Sequence, residues 1–126
     1  IVGSFGYKVH GIGLLQPDAR VEKLYEELRK SGNVVVHPLS YGALSVYKAL
    51  KMNEVAAIVS DRDVNHDGVP VTFFKRCVKF PGGAALLSYR TGARSFAGCL
   101  VRFGNKYRVE MSDEINIDRN IDEASY

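Results

Sequence analysis

The order of apolar and polar residues along the chain predicts a succession of strands and helices. Val21, Leu24, Tyr25 and Leu28 recur at the spacing i, i+3, i+4, i+7, which is typical of an amphipathic helix. Short runs of β-branched residues, such as 34–36, are typical of buried parallel strands instead. Helices are predicted over residues 18–30, 42–52 and 84–91, and strands over 5–15, 34–36, 55–59, 69–80 (one or two strands around a turn), 95–103 and 106–111.

The order β-α-β-α-β at the start of the chain predicts an α/β fold. We expect an open mixed sheet with parallel strands flanked by helices, followed by a C-terminal antiparallel hairpin around Gly104-Asn105. The predicted domain covers residues 1–112, and residues 113–126 are expected to form an acidic, partly ordered tail.

Composition narrows the class of protein. Of the 126 residues, 46% are hydrophobic and 25% are charged, so the chain can bury a core and is not typical of disordered proteins. Its apolar runs fall far short of the ~20 residues that cross a bilayer, and no basic and apolar leader opens it. We therefore expect neither a membrane-spanning helix nor a signal peptide.

Few residues could bind a metal or form a disulfide. Cys77 and Cys99 cannot make a four-thiolate zinc site, and both stand in apolar, strand-like runs. This setting favours buried, reduced thiols over the one possible disulfide. His10, His37 and His66 show no metal-ligand spacing and are predicted to be surface or capping residues.

Residues 63–68 match the first half of a calcium loop. Oxygen-bearing side chains stand at its positions 1, 3 and 5, and Gly68 stands at position 6. Phe74 occupies position 12, where calcium loops place a bidentate Glu. A turn rich in Asp and Asn is therefore favoured, and no metal site is predicted.

Charge is distributed unevenly along the chain. Residues 68–109 contain eight Lys or Arg, interleaved with aromatic residues, and no Asp or Glu, although the whole chain carries a net charge of only +3. This pattern favours an anionic partner, which could be a nucleic acid, a phospholipid surface or a phosphorylated small molecule. It is equally consistent with a solvated face that the acidic tail neutralises.

The first candidate binding segment is Asp61, Arg62 and Asp63. It follows the predicted strand 55–59, which we expect to be central in the sheet. Ligands of open α/β sheets gather beyond the carboxyl ends of the parallel strands. Arg62 is therefore either held for an anionic ligand or simply paired with the two carboxylates beside it.

The second candidate segment is Pro81, Gly82 and Gly83, here called the glycine loop. It opens the third predicted helix, whose first N–H groups and positive dipole end can bind an anion. The same glycines could instead permit a tight turn and close packing.

Three motifs in sequence order carry a family resemblance. They are Ser60-Asp-Arg-Asp63, Gly68-Val-Pro-Val-Thr-Phe-Phe74 and Phe80-Pro-Gly-Gly-Ala-Ala-Leu-Leu-Ser-Tyr-Arg-Thr-Gly-Ala93. Their order and spacing resemble those of the lipid A biosynthesis and phosphatidylinositol mannoside acyltransferases, which are lysophospholipid-acyltransferase-like enzymes. The resemblance is strong over residues 54–103 and extends back to Gly32.

The resemblance implies a membrane-associated O-acyltransferase that moves a fatty acyl chain to a glycolipid hydroxyl. The implied donor is acyl-CoA or acyl-carrier protein, with no other cofactor. The implied partners are this donor, the lipid acceptor and, as a peripheral contact, the cytoplasmic face of the cell membrane; no nucleic acid is expected. Asp61, Arg62, Asp63 and the glycine loop would then bind substrate.

The family's general base lies in a His-x-x-x-x-Asp motif, which this chain lacks, because no Asp stands five residues after any of its histidines. The simplest interpretation is that the chain is the C-terminal part of a longer enzyme. We then expect it to hold no catalytic residue, to be inactive alone and to be able to self-associate.

Two other functions remain open on the sequence. The first is a nucleic-acid-binding module that uses the basic region 75–108. The second is a non-catalytic interaction domain.

Overall fold

A parallel three-stranded sheet lies in the N-terminal part of the protein. In the computed structural model, which describes residues 2–63, 66–118 and 120, β1 (Val9–Gly13) lies between β2 (Val34–Pro38) and β3 (Val55–Ala57). Both pairings are parallel. A short 3-10 helix, Gly3–Phe5, precedes β1, so the strand predicted over 5–15 is shorter than expected.

Two helices connect these strands, α1 (Ala19–Ser31) and α2 (Leu39–Lys51). Each is followed by one residue and then by an asparagine with positive φ, Asn33 at 55° and Asn53 at 65°. Gly32 directly follows α1, but its φ is −93°, so the left-handed conformation falls on Asn33 and not on the glycine. Asparagine serves there because it tolerates this conformation better than other non-glycine residues.

Among the described residues after β3, two antiparallel ribbons follow, with a helix between them along the chain. β4 (Val69–Phe73) pairs with β5 (Arg76–Phe80), α3 follows at Gly83–Thr91, and β6 (Ser95–Phe103) pairs with β7 (Lys106–Ile115). The predicted α/β fold with its C-terminal hairpin is thus confirmed. β7 continues to Ile115, beyond the expected end at Met111 and into the predicted tail.

The core is small and lies between α2 and the sheet. Val46 and Ala49 of α2 are buried, together with Val9 of β1. A Cβ atom added at Gly42 would stand 2.8 Å from Ile12 Cγ2, so α2 lies close to the face of β1 that carries Ile12. Glycine at position 42 is what permits this approach.

The segment with the amphipathic pattern does form a helix, α1. The apolar side chains along one side of α1, here called the α1 stripe, are not buried. The four side chains are 39% to 61% exposed: Val21, Leu24, Tyr25 and Leu28. The pattern therefore predicted the secondary structure correctly without predicting burial.

The chain divides into two compact units, Ile1–Ala84 and Ala85–Tyr126. The domain boundary expected at residue 112 stays a prediction, and most of the predicted tail lies outside the described residues. Among the helices described, none is long and apolar enough to cross a membrane.

The prediction that both thiols are buried is wrong. Cys77 and Cys99 are free and exposed. Each lies on a two-stranded ribbon, and such a ribbon has two faces to cover. An apolar run in the sequence does not tell whether anything covers either face.

Candidate functional site

Asp61, Arg62 and Asp63 lie beyond the carboxyl end of β3, as the sequence predicted. β3 is not central, however, because within the described residues β1 occupies the middle of the sheet. Asp61 and Arg62 are exposed, and Asp63 is half-buried. The Oδ2 atom of Asp63 accepts a hydrogen bond of 3.1 Å from the backbone N–H of Gly68.

Gly68 brings the two predicted segments together. It is buried, and a Cβ atom added there would stand 2.8 Å from Asp63 Oδ2 and 2.9 Å from the carbonyl oxygen of Phe80. Phe80 directly precedes the glycine loop. The carboxylate of Asp63 and the carbonyl that precedes the glycine loop therefore both lie against the same side of Gly68, which has no room for a side chain.

Arg62 is the cation of this site. The structure records no ion pair or hydrogen bond for its guanidinium across residues 2–63, 66–118 and 120. The sequence left two possibilities for Arg62, and the described residues show no pairing of Arg62 with the carboxylates of Asp61 and Asp63. An exposed, uncompensated guanidinium presents a planar set of donors that suits a phosphate or carboxylate.

The glycine loop leads into α3, whose first residue is Gly83. Gly83 is exposed, and no atom lies within 4 Å of the position of an added Cβ. Close packing therefore does not explain a glycine at this position. The open space leaves the start of the helix accessible to a ligand.

Part of the basic region is neutralised by acidic residues that follow it. Arg94 donates to Glu114 at 2.7 Å through Nε, and Arg108 pairs with Glu110. The hydrogen bond from Arg94 lowers the pKa of Glu114 below its usual range. Of these two acidic residues only Glu114 belongs to the predicted tail, so the expected neutralisation by the tail is seen at Arg94, whereas Glu110, which pairs with Arg108, precedes the tail.

Lys75, Arg76 and Lys79 differ from these two arginines. All three are exposed, and no ion pair involves them in the part of the chain that the structure describes. The cations of the β4–β5 ribbon are thus available to an anionic partner.

A cluster of ionisable side chains crosses the sheet, here called the histidine cluster: His10, His37 and Glu54. His10 Nδ1 lies 2.9 Å from His37 Nε2. On the other side of the ring, Glu54 Oε2 lies 2.7 Å from His10 Nε2, although not along the direction of the N–H bond. The second carboxylate oxygen of Glu54 lies 3.8 Å from Lys8 Nζ.

The two imidazole rings meet edge to edge. Their planes are within 5° of parallel and their centroids are 5.2 Å apart. Because the ring planes are parallel and two of their nitrogens are only 2.9 Å apart, the planes cannot be more than 2.9 Å apart. Stacked rings would need a separation of ~3.5 Å between their planes. The rings are therefore joined by a hydrogen bond in which one nitrogen donates and the other accepts.

This arrangement lowers the pKa of His37. Burial is the main cause, and the neighbouring His10 and Lys8 disfavour the imidazolium further. A single proton between the two rings satisfies both nitrogens, whereas a proton on each would bring two donors together.

The sequence missed the histidine cluster. His10 was expected at the surface or at a cap, but it is only 5% exposed; His37 is half-buried and His66 is exposed. One sequence signal could have indicated that His10 is buried. It stands inside a predicted strand, where alternate side chains point to the same face of the sheet. No group of three or more potential metal ligands occurs in the ranges that the structure describes.

The chain is similar to a known protein family over nearly its whole length. The family model described as bacterial lipid A biosynthesis acyltransferase matches residues 5–125, a longer stretch than the motifs alone indicated. A search of curated proteins finds no match.

Proposed function

Because the chain belongs to the bacterial lipid A biosynthesis acyltransferase family, we propose that it takes part in O-acylation of a glycolipid. The reaction would move a fatty acyl chain from acyl-CoA or acyl-carrier protein to a hydroxyl of the acceptor. The observation that carries this proposal is the packing at Gly68, where the Asp63 carboxylate and the carbonyl before the glycine loop meet, next to Arg62, whose guanidinium has no partner among the described residues.

In this proposal Arg62 binds a phosphate of the lipid precursor. Its guanidinium can donate two parallel hydrogen bonds to phosphate oxygens. Asp63 holds the segment in place through Gly68, and the N–H groups at the start of α3 add further donors. Asp61 completes the polar set at this edge.

The general base would come from outside this chain, since the chain has no His-x-x-x-x-Asp motif. General-base catalysis requires a group that can accept the proton of the attacking hydroxyl. We therefore infer that these residues form the C-terminal, substrate-binding part of a longer enzyme.

The proposed location is the cytoplasmic face of the cell membrane, with peripheral attachment. Both proposed substrates meet there, because the acceptor is a lipid and the donor is carried in the cytoplasm. The cations of the β4–β5 ribbon, which form no ion pair with any described residue, support attachment, since each Lys or Arg near an anionic bilayer contributes about 1 kcal/mol.

The test is acyl transfer by the complete enzyme that contains this chain, measured with a labelled acyl donor and a lipid A precursor. Arg62→Ala is expected to lower kcat/KM by about 10–100-fold, the value of one charge-assisted contact to phosphate. Arg20→Ala, which removes an exposed arginine from α1, is the matched control and should leave turnover unchanged. Equal turnover in the Arg62 variant would remove this residue from the site.

A further inference from the structure

The tip of the β4–β5 ribbon has an unusual backbone. β4 ends at Phe73 and β5 begins at Arg76, so Phe74 and Lys75 alone make the turn. Both have positive φ, 47° and 62°. Two-residue hairpin turns of this kind are type I′, for which Asn-Gly is the preferred pair. Phe and Lys are strained there, because their Cβ atoms crowd the backbone.

Burial does not explain the aromatic side chain at this strained position. Phe74 is 85% exposed, and Phe73 beside it is 52% exposed. The two rings meet edge to face, with centroids 4.6 Å apart and planes at 80°. If position 74 had only to form the turn, Asn or Gly would adopt its positive φ with less strain. Phe74 is therefore indicated to have a role other than forming the turn.

An apolar face continues from this tip along the ribbon. Val69, Val71 and Phe73 alternate along β4 on one face, and the two valines are 37% and 38% exposed. Their partners on β5 include Val78 and Phe80. Within the described residues the ribbon is a sheet of two strands only, so no third strand extends it.

The ribbon carries cations at its tip and on both faces, and no carboxylate: Lys75 lies in the turn, Arg76 pairs with Phe73 on the apolar face, and Lys79 pairs with Pro70 on the opposite face. Lys75, Arg76 and Lys79 are exposed, and the ribbon contains no Asp or Glu. An apolar tip with these cations beside it, none of them in an ion pair with another described residue, is complementary to a surface that is anionic outside and apolar just beneath.

We propose that the tip of the β4–β5 ribbon docks onto an anionic phospholipid bilayer. Phe73 and Phe74 enter the interface between headgroups and acyl chains, and Lys75, Arg76 and Lys79 contact the headgroup phosphates. This inference rests on the membrane location proposed above and names the surface responsible.

The same observations favour a bilayer over single-stranded nucleic acid. Nucleic-acid platforms present aromatic faces on which successive bases stack. Here the 80° angle between the rings of Phe73 and Phe74 gives no pair of parallel faces, and valines rather than polar groups continue the surface.

The test measures sedimentation of the full chain with phosphatidylcholine vesicles, with and without phosphatidylglycerol, and its urea unfolding. The wild-type chain is expected to bind the anionic vesicles and to be released by salt. Phe74→Asn should weaken binding about tenfold, since it removes the inserted ring, while the urea midpoint stays unchanged or rises because Asn accepts a positive φ. Lys75→Gly should weaken binding about fivefold, the contribution of one cation.

Phe5→Asn is the matched control, because Phe5 is also highly exposed, at 75%, but lies outside the ribbon. It should leave vesicle binding unchanged. Failure of the wild-type chain to bind anionic vesicles, or equal binding by the Phe74 variant, would overturn the proposal. Preferential binding of a single-stranded oligonucleotide with the same dependence on Phe74 would overturn it as well. Vesicle binding requires no acyl transfer, so its outcome is independent of the proposed reaction.

Discussion

Single residues decide whether the two halves of the candidate site can meet, and Gly68 is the most constrained of them. A Cβ there would stand within 3.0 Å of both a carboxylate and a backbone carbonyl. Gly68→Ala is therefore expected to lower the free energy of unfolding by about 1–3 kcal/mol, measured by urea denaturation. Gly83→Ala adds the same methyl group where no atom lies within 4 Å, so its stability should stay the same or rise. Equal losses in both variants would contradict the packing described at Gly68.

His37 makes stability depend on pH near neutrality. Its pKa in the folded protein is below the ordinary 6.5, chiefly because of burial, so the unfolded chain binds more protons between these two values. Stability is thus fully present above about pH 6.5 and is lost as pH falls through the lower, folded value. Urea midpoints measured from pH 8 downward should fall in this window, and His37→Gln should flatten the fall.

The carboxylates of Glu22 and Glu114 have lowered pKa values and titrate below this window. Glu22 accepts a hydrogen bond from the N–H of Gln16 and Glu114 accepts one from Arg94, and both bonds lower the pKa below the usual 4.5. Their contributions are lost only in more acid solution. A pH profile that His37→Gln leaves unchanged above pH 5 would contradict the role given to this imidazole.

The histidine cluster shows what could not be predicted at the scale of the residue. His10 and His37 are 27 positions apart, and only the register of β1 against β2 brings them together. By contrast, the position of the segment 61–63 could be predicted. A polar segment that follows an apolar parallel strand lies at the carboxyl edge of the sheet, whichever place that strand takes in the sheet.

At the scale of the element, α2 holds the core against the sheet. Val46 is fully buried, whereas Leu44 on the same helix is 57% exposed. Val46→Ala should lower the free energy of unfolding by about 1–3 kcal/mol, because it removes buried methyl groups and leaves a cavity. Leu44→Ala should change it by no more than about 0.5 kcal/mol. A reversed order in urea unfolding would contradict the packing of α2.

The strands and helices could be predicted from the sequence more fully than their surroundings. Every predicted helix forms, since apolar spacing and capping are local properties of the chain. The exposure of the α1 stripe and of both cysteines depends on which other elements pack against them. The spacing of apolar residues along the sequence does not show which elements pack together. The antiparallel hairpin at Gly104-Asn105 was predicted because its turn signal is local as well.

At the scale of the whole molecule, family membership rests on the family model, which matches residues 5–125, and the spacing of three motifs had indicated the same family from the sequence. In the proposed reaction the general base belongs to a His-x-x-x-x-Asp motif, and no Asp stands five residues after any histidine of this sequence. We therefore expect no acyl transfer from a labelled donor to a lipid A precursor by this chain alone. Turnover by the isolated chain, abolished by substitution of one of its own histidines, would contradict the proposed division of roles.

The central claim is that Arg62 binds a phosphate of the lipid acceptor. It is tested most directly in the complete enzyme, by comparing kcat/KM for a phosphorylated acceptor with kcat/KM for its dephosphorylated form. The wild-type enzyme should prefer the phosphorylated acceptor by about 10–100-fold, and in Arg62→Ala this preference should fall close to one, because the charge-assisted contact is gone. The same preference in both enzymes would show that Arg62 does not read the phosphate.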